Sequence, residues 1–122
     1  MDLLPLTKAH IESPMWDSAD EFERMHGRLH WHLHTPYAHA LCAEVYEEVA
    51  GIATAIRFGD SARITACKLV PGHNGAAVRT VLVENLLNTL TAEGCNTITA
   101  TVPPDHVPHW EALGFVAQEP LV

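Results

Sequence analysis

The stretch Leu69-Val-Pro-Gly-His-Asn-Gly-Ala-Ala-Val78 decides the fold, because it joins two segments of opposite periodicity. Before it, Ala62 to Val70 reads as a strand. After it, a helix is predicted from about Ala76 to Glu93. There Val78, Val81, Leu82, Val83, Leu86, Leu87 and Leu90 wrap most of the circumference, which predicts deep packing. Gly94 is the C-terminal stop. The β-branched run Thr97 to Val102 reads as the next strand, and Pro103-Pro104 breaks it. Strand, turn, helix and strand in this order make a crossover unit. The turn itself is built from small residues where a helix begins. Amides at a helix N-terminus point outward, the helix dipole favours an anion there, and small side chains let a phosphate approach. A plain left-handed turn leading into a helix is the other reading of the same residues.

Working outward, Asp2 to Thr7 is a short apolar strand, and Pro5 assigns it to a sheet edge. Ser18-Ala-Asp-Glu21 is a capping box. From it Phe22, Met25, Leu29 and Leu33 recur at helical spacing. A helix is therefore expected to about His34, with Thr35-Pro36 ending it. Two strands follow, His39 to Tyr46 and Val49 to Phe58, joined at Glu47-Glu48. Phe58-Gly-Asp-Ser61 turns the chain into the strand that precedes the decisive stretch. Past Pro103-Pro104, a short helix is expected from about Pro108 to Leu113, then Gly114 and a last strand from Phe115 to Val122. The expected class is α/β: one domain over residues 1–122, with a mixed central sheet flanked by helices.

Composition narrows the function. The chain has 122 residues, enough to bury roughly two-thirds of its unfolded surface. Hydrophobic residues at 48% and charged residues at 18% exclude wholesale disorder. A net charge of −8 with only seven scattered cations excludes a nucleic-acid-binding face. No apolar run approaches the ~20 residues that span a bilayer. Met-Asp-Leu-Leu-Pro5 carries an acid where a signal peptide carries cations. Cys42, Cys67 and Cys95 lie far apart among apolar or small neighbours, as packing residues of a reducing compartment do. A cytoplasmic protein is the expectation. Protonating the nine histidines would cancel the negative charge near neutral pH.

Two motifs are linked across the C-terminal half. Gly75-Ala76-Ala77 follows a strand and opens a helix. Trp110-Glu111-Ala112-Leu113-Gly114-Phe115 comes about one helix and one strand later. Together they resemble the GNAT superfamily of N-acetyltransferases, whose signature is Gln/Arg-x-x-Gly-x-Gly/Ala followed by Phe-Tyr-Glu-x-x-Gly-Phe. The resemblance covers roughly Val49 to Phe115. It implies that the amides of Gly72, His73, Asn74, Gly75, Ala76, Ala77 and Val78 hold the pyrophosphate of coenzyme A. The strand end at Leu69 and Val70 would pair with the pantetheine arm, and the strands ending at Val70 and Val102 would splay to make a slot for the thioester. It also implies direct transfer of an acetyl group from acetyl-CoA to a small amine or a peptide amine.

The sequence departs from the family at several positions. Gly72 stands at the Gln/Arg position, Trp110 at the tyrosine that often protonates the thiolate, and Pro103 where an asparagine is often found. Ala62 to Val70 contains no Asp or Glu to serve as base. Asp105, His106 and His109, near the expected slot, are the candidates for acid and base, with ordinary solvation as the alternative. Glu44 and Glu47 read as a solvated face. His26, His30 and His34 form one stripe on the first helix. Glu23 is the only acid within helical reach and no cysteine joins the set, so no metal is expected. The stripe reads as a subunit contact, which admits a homodimer, as a partly buried polar edge, or as imidazoles lining an acceptor pocket. The segment between the first two strands is short for the family, which implies a shallow, open acceptor site. The alternative function is a degenerate domain that holds an acyl-CoA or a protein partner without turnover.

Overall fold

The computed structural model describes residues 1–11 and 37–118. Five strands form one sheet in chain order: β1 (Asp2–Pro5), β2 (Ala38–Val45), β3 (Glu48–Phe58), β4 (Ser61–Leu69) and β5 (Thr97–Ala100). The first four pair antiparallel, and β5 runs parallel to β4 after the crossover helix α2 (Gly75–Ala92). A one-turn helix, α1 (Lys8–Ile11), follows β1. A 3₁₀ turn (Pro104–His106) runs into α3 (Val107–Glu111) after β5. The mixed sheet and its crossover are as expected. The expected helix from Ser18 to His34, with its histidine stripe and Glu23, lies outside the described residues.

Three expectations need correction. The β2–β3 hairpin closes through Tyr46-Glu47, because Val45 pairs with Glu48. Both loop residues have positive φ, 50° at Tyr46 and 67° at Glu47. A two-residue loop matched to the twist of its strands requires this, and neither glycine nor asparagine is there to announce it. No strand forms over Phe115 to Gln118, and the rest of that expected strand lies outside the described residues. The helix α2 is packed along one side rather than all round. Val78, Leu82, Val83, Leu86 and Leu90 are buried, Val81 and Leu87 only half so, and Glu84, Asn85 and Asn88 face solvent.

The main core lies between that stripe and the sheet. Small side chains face the helix from the sheet (Ala43, Ala50, Ala53, Ala55, Ala62), and this lets α2 sit close to the strands. A second cluster occupies Leu6, Cys42, Val49, Ile52 and Val70. With apolar clusters of both kinds against it, β3 is buried from Val49 to Ala55. The tightest approach is at Gly51, where an added β-carbon would stand 2.8 Å from Val78 Cγ1 and 3.1 Å from the Lys68 carbonyl.

Two irregularities shape the end of the sheet near α2. Opposite β2, Ala50 is an extra residue in β3, and its carbonyl accepts the Val70 amide at 2.8 Å, which anchors the chain leaving β4. Opposite β3, Thr65 is an extra residue in β4, between the pairs Thr54↔Ala66 and Ala55↔Ile64. Bulges of this kind bend a strand and re-aim its side chains.

Candidate functional site

The two parallel strands part company halfway. Their pairing runs from Ser61↔Thr97 to Ile64↔Ala100 and stops, at the residue before the Thr65 bulge. β4 itself continues to Leu69, past the last pair of this ladder. Beyond Ala100 the chain turns away through Thr101, Val102 and Pro103. Between them opens a cleft of about 380 Å³. Its β4 wall is Ile64 to Leu69, and its opposite wall is Ala100 to Pro103. Arg79 closes it from α2, and His106 and Trp110 close it from the short helical segments.

The small-residue turn follows the β4 wall in the chain, and none of the residues from Gly72 to Val78 is part of the cleft lining. Gly72 has φ 94°, and a β-carbon there would meet nothing within 4 Å. This is the left-handed region, which glycine enters without strain. The turn is therefore open to a ligand. Asn74 is the N-cap of α2: its side chain accepts the Ala77 amide at 3.2 Å, and its carbonyl accepts the Val78 amide at 3.0 Å. This narrows the expectation for the turn, because Ala77 and Val78 already have partners. The first helical amides, those of Gly75 and Ala76, have no carbonyl to meet within the helix.

The cleft brings together only part of the expected catalytic trio. His106 lines it. Asp105 and His109 sit beside it in sequence, both exposed, and lie outside the lining. The His106 and His109 rings meet edge to face with centroids 6.1 Å apart. Trp110 is buried at 6% exposure and packs edge to face on Phe115 at 5.3 Å, so it supplies a wall. Its indole N–H donates but does not titrate. Leu69 lies in the β4 wall, and Val70 is buried just beyond it.

Sequence reading missed Thr65, Cys67 and Arg79. Thr65 occupies the bulge, its hydroxyl 2.7 Å from that of the fully buried Thr54. Cys67 faces the cleft, and burial pushes its thiol up to about 11, with the Arg79 charge pulling the other way. None of the three belongs to a local motif. A bulge and a strand separation arise from pairing between distant segments, and one chain's sequence does not display them.

Among the described residues, Lys68, Arg79 and His106 line the cleft and no Asp or Glu does. Cationic side chains on a cleft wall attract anions.

Elsewhere, His10, Cys42 and Glu44 bring potential ligand atoms within 4.8 Å of one another. Their hydrogen bonds describe a structural pin. The Thr7 amide donates to His10 Nδ1 at 3.0 Å, and His10 Nε2 lies 2.9 Å from Glu44 Oε2. An Nδ1 that accepts leaves the proton on Nε2, which donates it to the carboxylate. A metal on Nε2 needs the opposite tautomer, with an N–H aimed at the Thr7 amide. Burial, helped by Glu44, also pushes the Cys42 thiol up to about 12, far from a ready thiolate. Among the described residues, no helix is long and apolar enough to cross a membrane.

Comparison with known proteins places this geometry. No family model matches the chain, and no curated protein is recognisably similar to it in sequence. Solved structures are similar to it over nearly their whole length. An aminoglycoside antibiotic 6'-N-acetyltransferase from Acinetobacter haemolyticus superimposes with TM-score 0.77 at 17% identity, covering 100% of this chain and 95% of that one. An aminoglycoside N-acetyltransferase in complex with CoA gives TM-score 0.75 at 16% identity, covering 99% and 91%. A transcriptional regulator from Bacillus halodurans gives 0.73 at 16%, covering 99% and 96%. The fold is that of the GNAT acetyltransferases, as the two linked motifs led one to expect.

Proposed function

We propose that the protein binds acetyl-CoA in the cleft between β4 and β5 and transfers its acetyl group to a small amine or a peptide amine. The observation that carries this reading is the early end of β4–β5 pairing at Ile64↔Ala100, with a slot between the two strands whose β4 wall runs on toward the small-residue turn. The stretch of β4 from Thr65 to Leu69 lies past the last β4–β5 pair and walls the cleft, so its backbone runs alongside the path proposed for a pantetheine arm. The first amides of α2 and the open turn at Gly72 receive the pyrophosphate. Acetyl-CoA supplies the activated thioester. The protein's own share is to hold that thioester against the Thr65 bulge and to handle protons.

In the transfer, the amine nitrogen forms a bond to the acyl carbon and the carbon–sulfur bond breaks. The amine gives up a proton, and the departing thiolate takes one. Among the described residues, His106 is the imidazole of the cleft lining, and an imidazole carries both a donor and an acceptor nitrogen to move a proton. Asp105 and His109, exposed on the same turn, are in reach of solvent and would pass protons to and from His106. The anion-attracting lining suits the phosphates of the co-substrate.

The second reading is a degenerate domain that holds an acyl-CoA, or a protein partner, without turnover. It is favoured by Trp110, a buried wall residue with no acidic proton to give, and by the lack of a carboxylate among the described residues that line the cleft. One fold hosts many functions, so the choice belongs to the site. Calorimetric titration with acetyl-CoA and with free CoA tests what the readings share. Micromolar binding supports both, and thiol release across a panel of amines then separates them. No binding of either ligand overturns the acetyl-CoA reading.

A further inference from the structure

The sheet ends in β1 on one side and β5 on the other, and the sequence treats the two edges differently. β1 carries Asp2 and Pro5, a charge and a residue without an amide donor, and both discourage a further strand. β5 carries neither guard. From Asn96 to Pro104 the chain reads Asn-Thr-Ile-Thr-Ala-Thr-Val-Pro-Pro, uncharged throughout in a protein of net charge −8. In a parallel ladder one residue gives both its amide and its carbonyl to one side, and the next gives both to the other. The Asn96 amide donates to the Asp60 carbonyl at 2.8 Å, so residue 96 is turned toward the β4 side. By alternation Ile98 and Ala100 turn the same way, and Thr97 and Thr99 aim their backbone groups outward. Both threonines are exposed. Among the described residues no further strand lies beyond β5, and Phe115 to Gln118, where a last strand was expected, do not form one.

We propose that the outer edge of β5 pairs with the same edge of a second copy of this chain, antiparallel about a two-fold axis at Ile98. Thr97 and Thr99 of one copy then exchange backbone hydrogen bonds with Thr99 and Thr97 of the other, and the two sheets become continuous. A second copy fits this edge because of what it sets side by side. Threonine opposes threonine and isoleucine opposes isoleucine, cross-strand pairs that attract. An acidic chain repels its own copy over most of its surface, and this uncharged stretch is where that repulsion is least. A charged peptide would find nothing here to select it. Strands this short bury less than a standard interface, so the dimer forms and dissociates with concentration in the micromolar range. The proposal does not depend on what the cleft binds. It does touch the cleft, because β5 runs straight into the wall formed by Ala100 to Pro103, which the partner copy would brace from outside.

Sedimentation velocity over a rising concentration series, on proteins whose folding is checked by circular dichroism and thermal melting, tests this. Wild type should pass from monomer to dimer. The double variants Thr97→Lys/Thr99→Lys and Thr97→Glu/Thr99→Glu set like charges opposite one another, and each should associate at least about 10-fold more weakly. An equimolar mixture of the two should recover the dimer, since lysine then meets glutamate. Thr99→Pro removes an outward amide and leaves the ladder with β4 intact; it should also be monomeric, and it keeps the test open should a charged variant fail to fold. Leu4→Lys, on the other edge, should dimerise like wild type. Wild type that stays monomeric throughout overturns the proposal. So does a dimer that survives in Thr99→Pro or in either charged variant, a mixture that does not reassociate, or a dimer lost in Leu4→Lys, which would place the contact on β1.

Discussion

The Cγ1 methyl of Val78 lies 2.8 Å from the point where a β-carbon on Gly51 would stand, so β3 and the first turn of α2 touch through a side chain that is not there. The Lys68 carbonyl and the Leu69 side chain close the same space at 3.1 Å. Helix and strand are held at this spacing next to the turn that joins β4 to α2. Gly51→Ala should therefore cost about 1–3 kcal/mol, the usual range for overpacking, because one of its neighbours is backbone and cannot rotate aside. Urea unfolding should show a lower midpoint at unchanged slope. A midpoint equal to wild type would mean that α2 is less firmly seated than its contacts state.

Gly75 faces the opposite demand. A β-carbon there meets only Leu69 Cδ1, at 3.2 Å, the end of a flexible side chain. Gly75→Glu is thus expected to fold, while setting a carboxylate where the pyrophosphate would lie. CoA binding should fall below detection in calorimetry, with a melting temperature near wild type. Unaltered affinity in a folded variant would remove the turn from the proposed site.

Proton transfer should separate His106 from its neighbour. His106→Gln is predicted to lower kcat by about 10²- to 10⁴-fold, the range for a general acid or base, with little change in KM for acetyl-CoA. His109→Gln, outside the cleft lining, should leave most of the rate. The pH–rate profiles of wild type and His106→Gln should differ in shape. An identical profile in the two proteins would take His106 out of the proton transfer.

Cys67 makes stability depend on alkali. Burial raises its thiol from 9.0 to about 11, against the pull of Arg79. In the unfolded chain the thiol ionises first as pH rises. Its contribution to native stability is therefore complete below pH 9.0 and drains away toward about 11. Cys42, raised to about 12 by burial and by Glu44, extends the same trend. The unfolding midpoint of wild type should fall across this window more steeply than that of Cys67→Ala. Parallel curves would show that the thiol ionises freely in the folded protein. Alkylation of Cys67 below pH 9.0 should be correspondingly slow.

What the sequence displays, and what it hides, follows from the range of each interaction. The crossover from β4 through α2 to β5 is legible because a strand period, a glycine-bearing turn and a helix period follow one another without interruption. Pro5 marks an edge strand, and β1 does lie at the edge of the sheet, since the missing amide is a property of that residue alone. The hairpin loop is displaced by one residue because Tyr46 and Glu47 adopt positive φ under the constraint of the paired strands. Within the site, the glycines of the turn are visible. The Thr65 bulge, the parting of β4 from β5 and the cleft-facing cation at Arg79 are not, because each depends on segments far apart in the chain. Asp105, His106 and His109 look alike in the sequence, and only the packing of Trp110 and the 3₁₀ turn puts His106 alone on the cleft wall.

The early parting of β4 and β5 bears on thermal behaviour as well. β4 runs on past its last pair with β5, so a molecule lying in that gap would stand in for the missing length of β5. Occupancy would then register in the folding equilibrium, by about 2.7 kcal/mol at a hundredfold excess over Kd, and melting temperature would climb with ligand concentration. The seam between these two strands would act as an indicator of the cell's acyl-CoA supply, with the lifetime of the folded chain as its readout.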